Sequence, residues 1–210
     1  MGYRSFKELK QHEKAGKDYH VRFRQGHTGF AIMAIHGGCI EPGTTEIADA
    51  IAGQEHTFYT FSGLKERDGA ALHITSPNFD EPLGLKIAKS AGTVITIHGC
   101  KGGDAVLYIG GRDPALKEKI QKVMAGSGFI IKQNPRFPGA NSHNICNRCQ
   151  SGRGIQLEIS AGLRRRMFAD LSRKDRKTES QCFVRFVSLL RQILSGPSGL
   201  VQDHSLAEDG

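Results

Sequence analysis

His36, Glu41 and His98 have the side-chain types and the placement of a metal-ligand set. The apolar run Phe30-Ala-Ile-Met-Ala-Ile35 leads straight into His36, Gly37 and Gly38, with Glu41 close behind; Thr93-Val-Ile-Thr-Ile97 leads in the same way into His98 and Gly99. Catalytic zinc commonly takes two His and one Glu and leaves a position open for water, which makes hydrolysis the chemistry to expect. The paired glycines let the backbone turn back, so that His36 and Glu41 can face one point. Glu46 is the competing acid, but it falls near the first turn of a following helix, where a carboxylate already has a role at the positive end of the dipole. A lone histidine after a strand also fits a hydrogen-bonded structural residue. Repetition of the histidine-glycine turn beside an acid is what points to a metal.

Metal-assisted hydrolysis also needs a base. Glu158, in Gly154-Ile-Gln-Leu-Glu-Ile-Ser160, is the single carboxylate inside an otherwise apolar strand, where burial near a cation would tune it. Alternation with Gln156 is equally compatible with a solvated strand face. In Asn141-Ser-His-Asn-Ile-Cys-Asn-Arg148, Arg148 could grip a substrate carboxylate in bidentate fashion, with Asn144 as a nearby amide. His73 ends another strand and is a candidate substrate contact. Arg164, Arg165 and Arg166 follow Ser160 at a helix start, where acids would suit the dipole better; Arg164 is therefore a further candidate contact for an anion. Cys146 and Cys149 form one Cys-x-x-Cys without a second pair at zinc-ribbon spacing, and they read as incidental thiols.

The elements that must carry these residues alternate. Strands are expected at 20–23, 30–35, 56–61, 71–75, 93–97, 105–109, 129–131 and 154–159, because short apolar or alternating runs are bounded there by turn residues. Helices are expected at 6–13, 44–52, 82–90, 114–125, 160–171 and 179–194; Asp113 before Pro114 and the glycines at 53 and 126 supply start and stop signals. This order implies one α/β domain over residues 1–195, with a central mixed, largely parallel sheet covered by helices on both faces. Ligands of such sheets gather beyond the carboxyl ends of the strands, where both histidines stand. Segment 132–152 lacks periodicity and reads as a long loop of the kind that carries function. Residues 196–210 read as a loosely held tail.

With 210 residues the chain can bury one substantial core, and its 26 glycines are scattered rather than tandem. The N-terminus has no apolar core of the kind a signal peptide needs, and no apolar stretch approaches the roughly 20 residues of a membrane span. The expectation is therefore a soluble protein made in a cytoplasm, with its five cysteines reduced. A net charge of +8 attracts polyanions. Nucleic acid would call for aromatic residues interleaved with Lys and Arg for stacking; Trp is absent and the basic runs carry no such aromatics, so nucleic acid is not the expected partner.

Taken in order, the motifs Ala34-Ile-His-Gly-Gly-Cys-Ile-Glu-Pro-Gly-Thr-Thr-Glu46, Leu72-His-Ile-Thr-Ser76 with Phe79-Asp-Glu-Pro82, Ile97-His-Gly99, Ile109-Gly-Gly111, Asn144-Ile-Cys-Asn-Arg148, Gly154-Ile-Gln-Leu-Glu-Ile-Ser160 and Leu163-Arg164 resemble the phage and bacterial poly-γ-glutamate hydrolases. The resemblance implies a metallocarboxypeptidase-like α/β fold. It implies a hydrolase with one zinc ion per chain that cuts the amide between the γ-carboxyl of one glutamate and the amine of the next. Carried over, His36, Glu41 and His98 would hold zinc, Glu158 would be base and proton shuttle, and Arg148, with Asn144, would hold a substrate carboxylate. The step from His36 to Glu41 is longer than in metallocarboxypeptidases, which leaves Glu41 and Glu46 both open as the acidic ligand. The polymer carries one carboxylate per residue and would explain the positive charge. The protein is expected to be a monomer that meets the extracellular polymer after release at host lysis. A zinc amidase or peptidase acting on peptidoglycan stem peptides is the alternative.

Overall fold

A computed structural model describes residues 2–172, 176 and 179–195. Its frame is one mixed sheet of seven strands: β1 (Tyr19–Arg24), β2 (Phe30–Gly38), β3 (Thr57–Gly63), β4 (Thr93–Cys100), β5 (Val106–Gly111), β6 (Ile130–Lys132) and β7 (Ile155–Ser160), in the spatial order β1-β3-β2-β4-β7-β5-β6. The central strands β3, β2, β4 and β7 run parallel, β1 is antiparallel to β3, and β5 is antiparallel to β7. Parallel pairing carries the ends of β2, β4 and β7 to one edge of the sheet. Among the described residues six α-helices flank the sheet: α1 (Phe6–His12), α2 (Thr44–Ala52), α3 (Pro82–Ser90), α4 (Pro114–Gly126), α5 (Ala161–Met167) and α6 (Gln181–Leu194). None of them is long and apolar enough to cross a membrane.

The period-2 alternation of the strands divides the molecule into two cores. On one face, Ile32 and Ala34, Ile95 and Ile97, Leu107 and Ile109, and Ile155, Leu157 and Ile159 pack against helices α2, α4, α5 and α6. On the other, Ala31, Met33 and Ile35 of β2 and Tyr59 and Phe61 of β3 pack with α1, α3 and the buried residues Ile145 and Cys146. The second core covers only part of its face. Beside it the outward positions of β4, β7 and β5 include His98, Gln156, Glu158 and Tyr108, and a cleft opens over them.

Most expected elements recur with shifted ends, and two expectations need correction. Residues 71–75 do not form a strand; Gly69–Leu72 is a 3-10 turn, and Ile74 joins Tyr3 through a single bridge. The helix after Ser160 stops at Met167, and Phe168 turns into a bridge with Glu179. Segment 132–152 is indeed irregular over most of its length, but a 3-10 turn at Ile145–Arg148 anchors it. The expected tail at 196–210 lies outside the described residues.

Candidate metal centre

Strict alternation along β2 would send His36 to the α2 side of the sheet with Ile32 and Ala34. It does not go there. Ala34 pairs with Thr60 and Gly37 with Ser62, so β2 uses one residue more than β3 between these pairs. This bulge re-aims the imidazole to the cleft face, as bulges near sites commonly do. Past it, Gly38 takes a positive φ of 66°, and a Cβ there would lie 2.3 Å from the Gly63 carbonyl oxygen. The turn closes when the Glu41 amide donates to the His36 carbonyl at 2.9 Å. The five-residue step thus brings Glu41 back beside the histidine that precedes it.

The donor atoms converge. His36 Nδ1 lies 3.0 Å from Glu41 Oε1 and 3.1 Å from His98 Nδ1, and His98 Nδ1 lies 3.6 Å from Glu41 Oε2. Among the described residues, these three form the group of His, Cys, Asp or Glu side chains whose ligand atoms lie close enough to hold a metal, all within 4.8 Å of one another. The outer hydrogen bonds set the polarity. His36 Nε2 sits 2.7 Å from the Ile74 carbonyl, which can only accept, so Nε2 carries a proton and Nδ1 is the nitrogen that faces inward. His98 Nε2 lies 3.4 Å from Ser76 Oγ, and the Gly99 amide donates to Glu41 Oε2 at 2.8 Å. Two imidazole nitrogens and a carboxylate thus aim at one point, which is the residue set of a two-His, one-Glu zinc site.

The same convergence couples the three groups electrostatically. Burial would push the Glu41 carboxyl up, but His36 and then His98 outweigh it and hold Glu41 well below the ordinary carboxylate range. His98 moves the other way: burial pulls it down, and Glu41 and Glu158 carry it above the usual imidazole value. His73 lies against His36 with ring centroids 4.0 Å apart and planes tilted by 32°; burial and the neighbouring His36 lower its pKa to about 4, so it stays neutral beside the site.

Glu158 stands next to His98 across the β4–β7 ladder and next to Tyr108 across β5–β7, and it lines the same cleft of about 640 Å³. Burial raises its carboxyl above the ordinary value. Gln156 Nε2 donates to its Oε1 at 3.0 Å. The polar alternation of Gln156 and Glu158 is real, and the face it marks is the cleft rather than open solvent.

The other expected site residues separate. His73 and Asn144 line the cleft. Arg148 does not; its Nε donates to the His143 carbonyl at 2.8 Å, Nη1 to Phe79 at 3.2 Å and Nη2 to Pro77 at 2.7 Å, which staples the 3-10 turn to segment 77–79. Arg164 is also elsewhere, buried behind the His36, Glu41 and His98 cluster with Nε on the Ile159 carbonyl, Nη1 on Pro42 and Nη2 on Cys100. Glu46 pairs with Arg176 at 3.0 Å and lies outside the donor cluster. Cys146 and Cys149 are free and buried, and burial pushes the Cys146 thiol up to about 12. Sequence reasoning missed Ser76, Lys101, Tyr108 and Arg136, which line the cleft, and passed over Gln156. The outward parity shared by Tyr108, Gln156 and Glu158 was the available signal; Lys101 and Arg136 lie on irregular segments with no periodicity to read.

The family model described as poly-gamma-glutamate hydrolase matches residues 3–189. UPF0714 protein YndL of Bacillus subtilis (strain 168) is 34% identical over 196 residues, which cover 91% of this chain and 77% of YndL. Among solved structures, a bacteriophage poly-gamma-glutamate hydrolase superimposes with a TM-score of 0.88 at 28% identity, covering 91% of this chain and 95% of that one. YndL in a zinc-free apo form superimposes with a TM-score of 0.88 at 34% identity, covering 92% and 97%.

Proposed function

The chain belongs to the poly-γ-glutamate hydrolase family, and from that premise we propose that it hydrolyses γ-glutamyl amide bonds of poly-γ-glutamate with one zinc ion held by His36, Glu41 and His98. The observation that carries the reading is the convergence of His36 Nδ1, His98 Nδ1 and the Glu41 carboxylate at the floor of a cleft that also contains Glu158. Zinc supplies Lewis-acid polarisation of the scissile carbonyl and a lowered water pKa. YndL, a relative at 34% identity, has a structure specifically described as zinc-free.

Glu158 is the base. Its carboxylate takes a proton from the water whose oxygen bonds to the scissile carbonyl carbon, and it returns that proton to the amine nitrogen as the carbon–nitrogen bond breaks. A carboxyl raised by burial suits this exchange, because it takes up the proton more readily than an ordinary carboxylate does. Ser76 and the Ile74 carbonyl keep the imidazoles oriented, and neutral His73 covers the outer face of His36. Lys101 and Arg136, exposed at the cleft, give its mouth the positive charge that a polymer with one carboxylate per residue would seek.

The test is the size distribution of purified poly-γ-glutamate after incubation with the protein, with and without a chelator, beside a parallel incubation with peptidoglycan. Shortening of the polymer that stops with chelator and returns with zinc is the expected result. Cleavage indifferent to chelator would refute the zinc mechanism, and an intact polymer beside digested peptidoglycan would refute the substrate.

A further inference from the structure

Behind Glu158 runs a buried chain of amides whose direction is dictated at its far end. The Cys146 backbone N–H can only donate, and it donates to Asn144 Oδ1 at 3.2 Å. That orients the Asn144 amide and leaves Nδ2 to donate to Gln156 Oε1 at 2.7 Å, which in turn obliges Gln156 to present Nε2 to Glu158 Oε1 at 3.0 Å. Asn144 and Gln156 are each only 4% exposed, so neither amide can turn over and recover partners from bulk water. Among the described residues, no hydrogen bond falls on the second carboxylate oxygen of Glu158. Asn144 itself belongs to the long cleft-lining segment and is held there with Asn147, which donates to the Gly139 and Asn141 carbonyls at 2.7 and 2.9 Å and accepts from the Gly154 amide at 3.0 Å.

We propose that Asn144 and Gln156 are positioning residues: a one-way amide relay anchored on the Cys146 N–H clamps one oxygen of Glu158 and leaves the other to handle the proton. The relay gives Asn144 work other than binding a substrate carboxylate, and it makes the geometry of the base depend on the fold of segment 139–149. The catalytic half of this inference rests on the reading of Glu158 as base; the hydrogen-bond polarity does not.

Two variants and one spectroscopic signature test it. Gln156→Met keeps length and removes the donor, and kcat on poly-γ-glutamate should fall about 10–100-fold, the range typical of lost outer-shell partners, with KM and bound zinc unchanged. Asn144→Asp keeps the acceptor for the Cys146 N–H, and Asp caps as well as Asn, but it puts an acceptor where Gln156 needs a donor. A comparable fall in kcat is expected there, whereas a residue that merely capped the turn would tolerate the change. Wild-type kcat in Asn144→Asp, or a raised KM with unchanged kcat in Gln156→Met, overturns the proposal. Independently of turnover, the Gln156 side-chain amide of the wild-type protein should show one proton shifted downfield and slow to exchange in ¹H–¹⁵N spectra, and its absence overturns the relay. A protected proton in a protein that cuts no polymer upholds the relay and refutes the hydrolase reading, so the two failures are distinguishable.

Discussion

Replacing Arg164 by Met should damage stability and metal binding before it touches substrate affinity. The guanidinium reaches three carbonyls from three segments: Ile159 at 3.1 Å, Pro42 at 2.6 Å and Cys100 at 3.0 Å. Methionine fills a similar volume but donates nothing. Ile159 is fully buried, so the loss at its carbonyl is not repaired by solvent, whereas Pro42 and Cys100 are half-buried and can recruit water. Charging about 1–3 kcal/mol for a buried unsatisfied group and less for the two others gives a loss of about 3 kcal/mol. At a urea dependence of about 2 kcal/mol per molar, the unfolding midpoint of the metal-free protein should drop by about 1.5 M. Because Pro42 adjoins Glu41, and Gly99 packs so close that a Cβ there would stand 2.7 Å from the guanidinium carbon, loosening this clamp should also weaken zinc binding about tenfold. The assays are urea unfolding in chelator and zinc titration against a competing dye. Arg164→Lys should recover less than half of the loss, since one ammonium cannot span three divergent carbonyls. A midpoint within 0.3 M of wild type (about 0.6 kcal/mol at that slope), accompanied by a raised KM for the polymer, would refute the clamp and return Arg164 to the substrate.

Glu158→Gln should abolish turnover, a fall of at least about 10²–10⁴-fold, while zinc stays near one per chain; loss of zinc would make Glu158 a ligand. Glu41→Gln should lower zinc affinity strongly and Glu46→Gln leave it unchanged, because Glu46 is engaged with Arg176; equal effects in the same titration would contradict the ligand assignment. Buried His56, 2.6 Å from Thr28 Oγ1, has its pKa lowered chiefly by burial. The unfolded chain therefore takes up this proton first as pH falls through about 6.5, and the stability His56 contributes, fully present above that pH, is lost down to its lower folded value. His56→Gln should flatten the fall of the metal-free urea midpoint between pH 7.5 and 5, and an unchanged slope would refute the assignment.

Local patterns made the layers legible. Apolar strands of period 2, Asp113 before Pro114, and Phe183, Phe186, Val187 and Leu190 on one helical face are written in neighbouring residues, and they persist in the folded chain. The residue types that gather at His36, Glu41 and His98 were readable too, and so was the position of both histidines at strand ends. What could not be read depends on distant backbone. Arg148 and Arg164 resemble anion binders in sequence, yet their partners are carbonyls of Pro77, Phe79 and Pro42, and no side-chain pattern advertises a carbonyl. Residues 71–75 look like a strand because Leu72 and Ile74 alternate, but Gly69 must pack against the Cys39 backbone, which bends that segment into a turn. Gln156 looks solvated until segment 132–152 is laid over it.

The extra residue in β2 has a consequence for how this protein can vary. A strand assigns each side chain to a face by odd and even count, and the bulge between Ala34 and Gly37 resets the count once, just upstream of the donors. After the reset Gly37 falls where any Cβ would strike the hydroxyls of Thr45, Thr60 and Ser62, while His36 falls where Ile74 and His98 await it. Loss of Gly37 would leave His36, Glu41 and His98 all in the chain, yet with the bulge gone Ala34 to Gly38 would match Thr60 to Gly63 step for step and deliver the imidazole to the helix side of the sheet. The centre is therefore more fragile to a change of length than to many changes of identity, and a survey of substitutions alone would not reveal that vulnerability.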